Sequence, residues 1–106
     1  MSATGPMIII AGTVRVPPEK LAGFRPHQDA MLAASRAEDG CTTYSYAVDV
    51  QDPGLIRVFE QWRDQAAIDA HFRAPHMAAW RAAGAEFGVS DRKLSLYEVA
   101  SERALG

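Results

Sequence analysis

Thr42-Thr43-Tyr44-Ser45-Tyr46-Ala47-Val48-Asp49-Val50, then Gln51-Asp52-Pro53-Gly54, then Leu55-Ile56-Arg57-Val58-Phe59-Glu60-Gln61-Trp62-Arg63 is the stretch that decides the fold. Side chains of a strand point alternately to its two faces. Tyr44, Tyr46, Val48 and Val50 therefore share a face of the first run, and Ile56, Val58, Glu60 and Trp62 share a face of the second. Asp52-Pro53-Gly54 is turn chemistry, so the two runs read as an antiparallel hairpin. Glu60 breaks an otherwise apolar face. A charge there is costly unless it is paired or kept neutral, so Glu60 marks either a buried structural network or a pocket.

Working outward, Met7 to Val16 is a β-branched run stopped by Pro17-Pro18, and reads as a first strand. Glu19 to Ala37 reads as a helix with Leu21, Phe24, Met31 and Ser35 on one face. Pro26 lies inside that pattern and predicts a kink or a late start. Asp39-Gly40 ends the helix. Asp64 is placed to N-cap a second helix carrying Ile68, His71 and Phe72. Ala74-Pro75 interrupts it, and Pro75 opens a further helical piece with Met77, Trp80 and Gly84 at spacings of three and four. Lys93 to Ala100 alternates again as a last strand.

The order is β-α-β-β-α-β, the ferredoxin-like α+β arrangement, with a four-stranded antiparallel sheet and helices on one face. Residues 1–6 read as a flexible lead-in, 7–100 as the domain and 101–106 as a tail. The strands are apolar on both faces, which leaves one sheet face in want of cover. A second copy packed sheet to sheet supplies it, so a homodimer closing an α/β barrel is expected.

The chain has 106 residues, 48% of them apolar, and a net charge of -2. That balance, with no basic run, gives no reason to expect a nucleic-acid or membrane partner. Cys41 is the single cysteine and fits a reducing cytoplasm. No apolar run approaches the length of a membrane span, and the opening residues lack the pattern of a signal peptide.

The motifs Met7-Ile8-Ile9-Ile10-Ala11, Ser35-Arg36-x-Glu38-x-Gly40-Cys41-x-x-Tyr44, Asp52-Pro53, Glu60-x-Trp62, Ala70-His71 and Pro75-His76-Met77 carry a resemblance. Together they make the chain resemble the antibiotic biosynthesis monooxygenase domain family, small dimeric α+β barrels that include quinol monooxygenases. The resemblance spans roughly Met7 to Val99. It implies a cofactor-free enzyme that oxidises electron-rich quinols, anthrones or phenols with O2, the substrate supplying the electrons. Such a protein needs a dry pocket, a group to take a proton and donors to hold an anion. Haem-degrading relatives carry an asparagine in the first strand and a tryptophan and histidine ten residues apart on the second helix. Thr13, His71 and Arg81 stand at the aligned places, so haem chemistry is not expected.

On that footing Glu60 and His71 are the catalytic candidates, as the pair that would manage a proton. Each also has a structural reading: Glu60 satisfied by Arg36 or His71, and His71 packed beside Phe72 to hold its helix on the sheet. Tyr44, Trp62, Trp80 and Met77 are the substrate-binding candidates, with dimer or barrel packing as the alternative for the aromatics. Arg36 and Glu38 are expected to pair with each other at the helix end. Cys41 is expected to be a buried, inert thiol. His76 and His27 are weaker candidates. His71 and His76 are five apart with Pro75 between them, so no metal site is expected. Two other functions fit the same scaffold: an isomerase or cyclase that needs no O2, and a non-catalytic dimer that binds a hydrophobic ligand.

Overall fold

The computed structural model describes residues 5–106. Residues 1–4 of the expected 1–6 lead-in lie outside them. Four strands, β1 (Met7–Arg15), β2 (Cys41–Val48), β3 (Leu55–Trp62) and β4 (Ser90–Val99), form one sheet in the order β2-β3-β1-β4. Every pairing is antiparallel. Three helices, α1 (Leu21–Arg36), α2 (Gln65–Arg73) and α3 (Pro75–Glu86), complete the ferredoxin-like α+β fold. A short 3₁₀ turn, Pro18–Lys20, leads into α1.

Local chemistry explains most boundaries. Asp64 N-caps α2, its Oδ1 accepting from the Ala67 N–H at 2.9 Å. Pro75 opens α3, where its missing N–H costs nothing. Pro26 neither delays nor interrupts α1, which runs from Leu21. It is the sixth residue of α1, past the first turn, so the helix runs through it at the loss of the hydrogen bond an N–H there would make to the Ala22 carbonyl.

Register fixes which side chains meet. Tyr44 faces Glu60 across β2 and β3, and Glu60 faces Ile10 across β3 and β1. The helix-facing side of these strands carries Ile8, Ile10, Val14, Ile56, Val58 and Trp62, all buried. Full burial of an aliphatic or aromatic side chain of this kind contributes roughly 1.5–3 kcal/mol. The helices answer with Phe24, Met31, Ile68 and Trp80, and the Phe24 and Trp80 rings stack at 5.0 Å.

Gly12 is required where β1 crosses β4. Its φ is +154°, and a Cβ there would stand 1.9 Å from the Lys93 carbonyl oxygen. Gly40, at φ +85°, makes the turn from α1 into β2, where a Cβ would meet Ala67 at 2.6 Å. β4 is exposed along nearly its whole length. Among the described residues no helix is long and apolar enough to cross a membrane.

Candidate functional site

The period of β3 turns Glu60 inward between Val58 and Trp62, and it is only 5% exposed. The Trp62 indole N–H donates to Glu60 Oε1 at 3.0 Å. Burial raises the carboxyl pKa, against the pull of the Trp62 indole and the Tyr44 hydroxyl, and the Glu38 charge adds to the rise. The protonated acid is therefore favoured more than in an ordinary glutamate.

His71 occupies the last turn of α2 and is 1% exposed. Its Nδ1 lies 2.6 Å from Glu38 Oε2, just beyond the end of α1. Its Nε2 lies 3.5 Å from the Tyr44 hydroxyl. The carboxylate can only accept, so the network assigns the proton to Nδ1 and leaves Nε2 as the acceptor. Burial lowers the imidazole pKa, and Glu38 works in the opposite direction. The His71 ring packs 4.6 Å from Trp62.

The chain reverses at Ala74 and brings His76 beside the same carboxylate. His76 Nε2 lies 3.6 Å from Glu38 Oε2 and 3.2 Å from Ser35 Oγ. Glu38, His71 and His76 thus offer three ligand-type atoms within 4.8 Å of one another. The expectation that sequence spacing keeps the two histidines apart is corrected here, because the break at Pro75 folds one back toward the other. The three resemble a two-histidine, one-carboxylate ligand set in type. The short His71–Glu38 hydrogen bond accounts for their arrangement as it stands.

Tyr44, Tyr46, Glu60 and His71 form the polar side of one cleft of about 380 Å³. Phe72, Met77, Trp80 and Leu94 form its apolar walls, and the exposed Arg81 and Arg92 line it too. The volume falls within the roughly 300–1,000 Å³ of small-molecule sites. Burial pushes the Tyr46 phenol up to about 12, and raises Tyr44 further still. Both hydroxyls are therefore protonated donors at neutral pH. The arrangement supplies a proton acceptor, a buried acid and phenolic donors against an apolar wall.

Of the candidates read from the sequence, Glu60, His71, Tyr44, Met77 and Trp80 meet on this cleft. Trp62 does not line it. It is fully buried and holds Glu60 through the indole N–H. The expected Arg36–Glu38 ion pair is replaced by two other contacts: Arg36 Nε donates to the Tyr44 carbonyl at 2.9 Å, and Glu38 holds His71. Neither Arg36 nor His71 is the direct partner of Glu60. Glu38 is the residue that sequence reasoning missed as part of the site. Its only local signal is its place before Gly40, which fixes where the chain turns. Cys41 is half-buried, with its thiol pKa raised by burial, and His27 is exposed.

Comparison with known proteins places the chain in a family. The family model described as "Antibiotic biosynthesis monooxygenase" matches residues 7–83. Rv0793 of Mycobacterium tuberculosis is 37% identical over 79 residues, covering 74% of this chain and 76% of that protein. YcnE of Bacillus subtilis is 30% identical over 80 residues, covering 76% of this chain and 84% of that protein. Both are provisionally named monooxygenases. A solved structure from Deinococcus radiodurans, provisionally named an antibiotic biosynthesis monooxygenase, matches with a TM-score of 0.84 at 27% identity. That match covers 93% of this chain and 98% of the other.

Proposed function

The chain belongs to the antibiotic biosynthesis monooxygenase family, and from that premise we propose that it is a cofactor-independent monooxygenase. Its substrate is a quinol-like or polycyclic phenolic small molecule, and its oxidant is O2. The observation that carries this reading is the meeting of Glu60, Tyr44 and His71 on one apolar-walled cleft, with Glu38 behind His71.

His71 Nε2 takes the proton of the substrate, directly or through the Tyr44 hydroxyl beside it. Glu38 holds the Nδ1 proton and stabilises the imidazolium that forms. The Tyr44 and Tyr46 hydroxyls donate to the substrate oxyanion. The deprotonated ring transfers electrons to O2 and forms a carbon–oxygen bond. The imidazolium returns its proton to the peroxide. Glu60, in its protonated form, then donates to the distal oxygen as the O–O bond breaks, while His71 takes the remaining C–H proton and passes it back to the Glu60 carboxylate. For a ring methylene the sum is CH2 + O2 giving C=O + H2O, with one oxygen atom retained and the other leaving as water. The walls of Met77 and Trp80 limit competing proton transfer from solvent.

The test is oxygen uptake by metal-stripped protein against a panel of quinols and anthrones, with Glu60→Gln and His71→Ala beside the wild type. The expected result is uptake above the spontaneous rate, with oxygenated product, falling in both variants. No excess uptake across the panel would overturn the reading. Turnover under nitrogen would replace it with an isomerase or cyclase.

The working unit is a homodimer packed sheet to sheet. Phe59 is 38% exposed and Tyr97 53% exposed on the face away from the helices, which supports such cover. Light scattering at micromolar concentration giving the mass of one chain would refute it.

A further inference from the structure

Arg81 on α3 and Arg92 on β4 line the cleft that holds Glu60, and neither forms an ion pair among the described residues. Arg36, Arg73 and Arg103 form none either, but they do not line this cleft. Arg15, Arg25, Arg57 and Arg63 each hold a carboxylate at its surface. The Arg92 guanidinium is laid back toward α3. Its Nη2 comes within 3.5 Å of the position that a Cβ on Gly84 would occupy. Arg81 precedes Gly84 by three residues, on the same face of α3. The two cations therefore reach one cleft from two different elements. Its other polar groups are a buried carboxyl, two phenols and an imidazole.

We infer that the cleft takes a substrate with two ends: a hydroxylated aromatic ring against Tyr44, Glu60 and His71, and a carboxylate arm held by Arg81 and Arg92. The assignment rests on the small-molecule reading of this cleft and deepens it to a class, the hydroxyaryl carboxylic acids. Charge sets the orientation. A carboxylate at the buried Glu60 end would lose its water with no cation beside it, whereas at the arginine end it meets planar forks that match its two oxygens. The arginines thus decide which end of the molecule reaches the proton-transfer groups. Both are exposed, so they also draw the anion in from solvent.

Binding of 6-hydroxy-2-naphthoate, its methyl ester and 2-naphthyl phosphate, followed by calorimetry, tests this. Wild type should bind the acid about tenfold more tightly than the ester, as expected for a charge-assisted hydrogen bond. The preference should shrink as salt rises. Arg81→Met and Arg92→Met together should remove the preference and leave ester affinity unchanged, because methionine keeps an apolar stem at each place. An unchanged thermal midpoint shows that the variants fold. Equal affinity for acid and ester, a preference that survives in the double variant, or tighter binding of the phosphate would overturn the carboxylate arm. Each of these leaves quinol-dependent oxygen uptake untouched. Conversely, an acid preference without oxygen uptake on any quinol would retain the subsite and refute the oxygenase.

Discussion

Removing Glu38 should cost stability only while His71 is present. The His71 Nδ1–H donates to Glu38 Oε2 at 2.6 Å, and His71 is 1% exposed while the Glu38 side chain is 19% exposed. A hydrogen bond to a charged group contributes about 1.5–3 kcal/mol net, and leaving a buried donor unpaired costs a similar amount. Glu38→Ala should therefore destabilise by about 2–3 kcal/mol, whereas Glu38→Gln, whose amide oxygen still accepts from Nδ1–H, should lose about half as much. His71→Phe removes the donor and keeps a flat ring beside Trp62. In that background Glu38→Ala should be nearly silent, giving a coupling of about 2–3 kcal/mol in the double-mutant cycle. Urea denaturation at pH 7 with unchanged slopes measures all four corners. A coupling within about 0.5 kcal/mol of zero would show that the contact contributes nothing, and would remove Glu38 from its role in positioning His71.

Three further outcomes are expected. Gly12→Ala should cost at least about 2–3 kcal/mol, because the new Cβ would meet the Lys93 carbonyl across the β1–β4 pairing; a loss below 1 kcal/mol by urea melting, the range of an ordinary surface change, would contradict that close approach. The pKa of Glu60 is raised in the folded state above its ordinary 4.5, so its contribution to stability is complete at low pH and is lost as pH rises through the folded pKa. Glu60→Gln should therefore gain on the wild type between pH 4.5 and neutrality in parallel thermal melts, and a gap that does not change with pH would show that burial does not govern this carboxyl. Phe59→Asp or Tyr97→Asp should reduce the mass seen by light scattering to that of one chain, and an unaltered dimer would move the interface off this sheet face.

Much of the fold was legible in the sequence because its signals are local. Alternation from Tyr44 to Val48 and from Ile56 to Trp62, with Asp52-Pro53-Gly54 between them, is enough to give the hairpin. The cap at Asp64 and the start at Pro75 need only their own neighbours in the chain. The same period of two placed Glu60 on the buried face before any partner was known. Boundaries drifted by a residue or more, as at β4, which begins at Ser90 rather than Lys93. There the exposed strand offers no burial signal to mark its start.

The tertiary structure alone decided who holds whom. Glu38 and His71 are 33 residues apart, and nothing in either segment announces the other. Their bond depends on the end of α1 packing beside the last turn of α2, and that distance is set by side-chain volumes across the whole core. For the same reason Trp62 became the donor that holds Glu60, His76 came back beside Glu38, and Arg81 and Arg92 reached one cleft from two elements. Periodicity tells a residue which way to face. Only the packed chain determines what it faces.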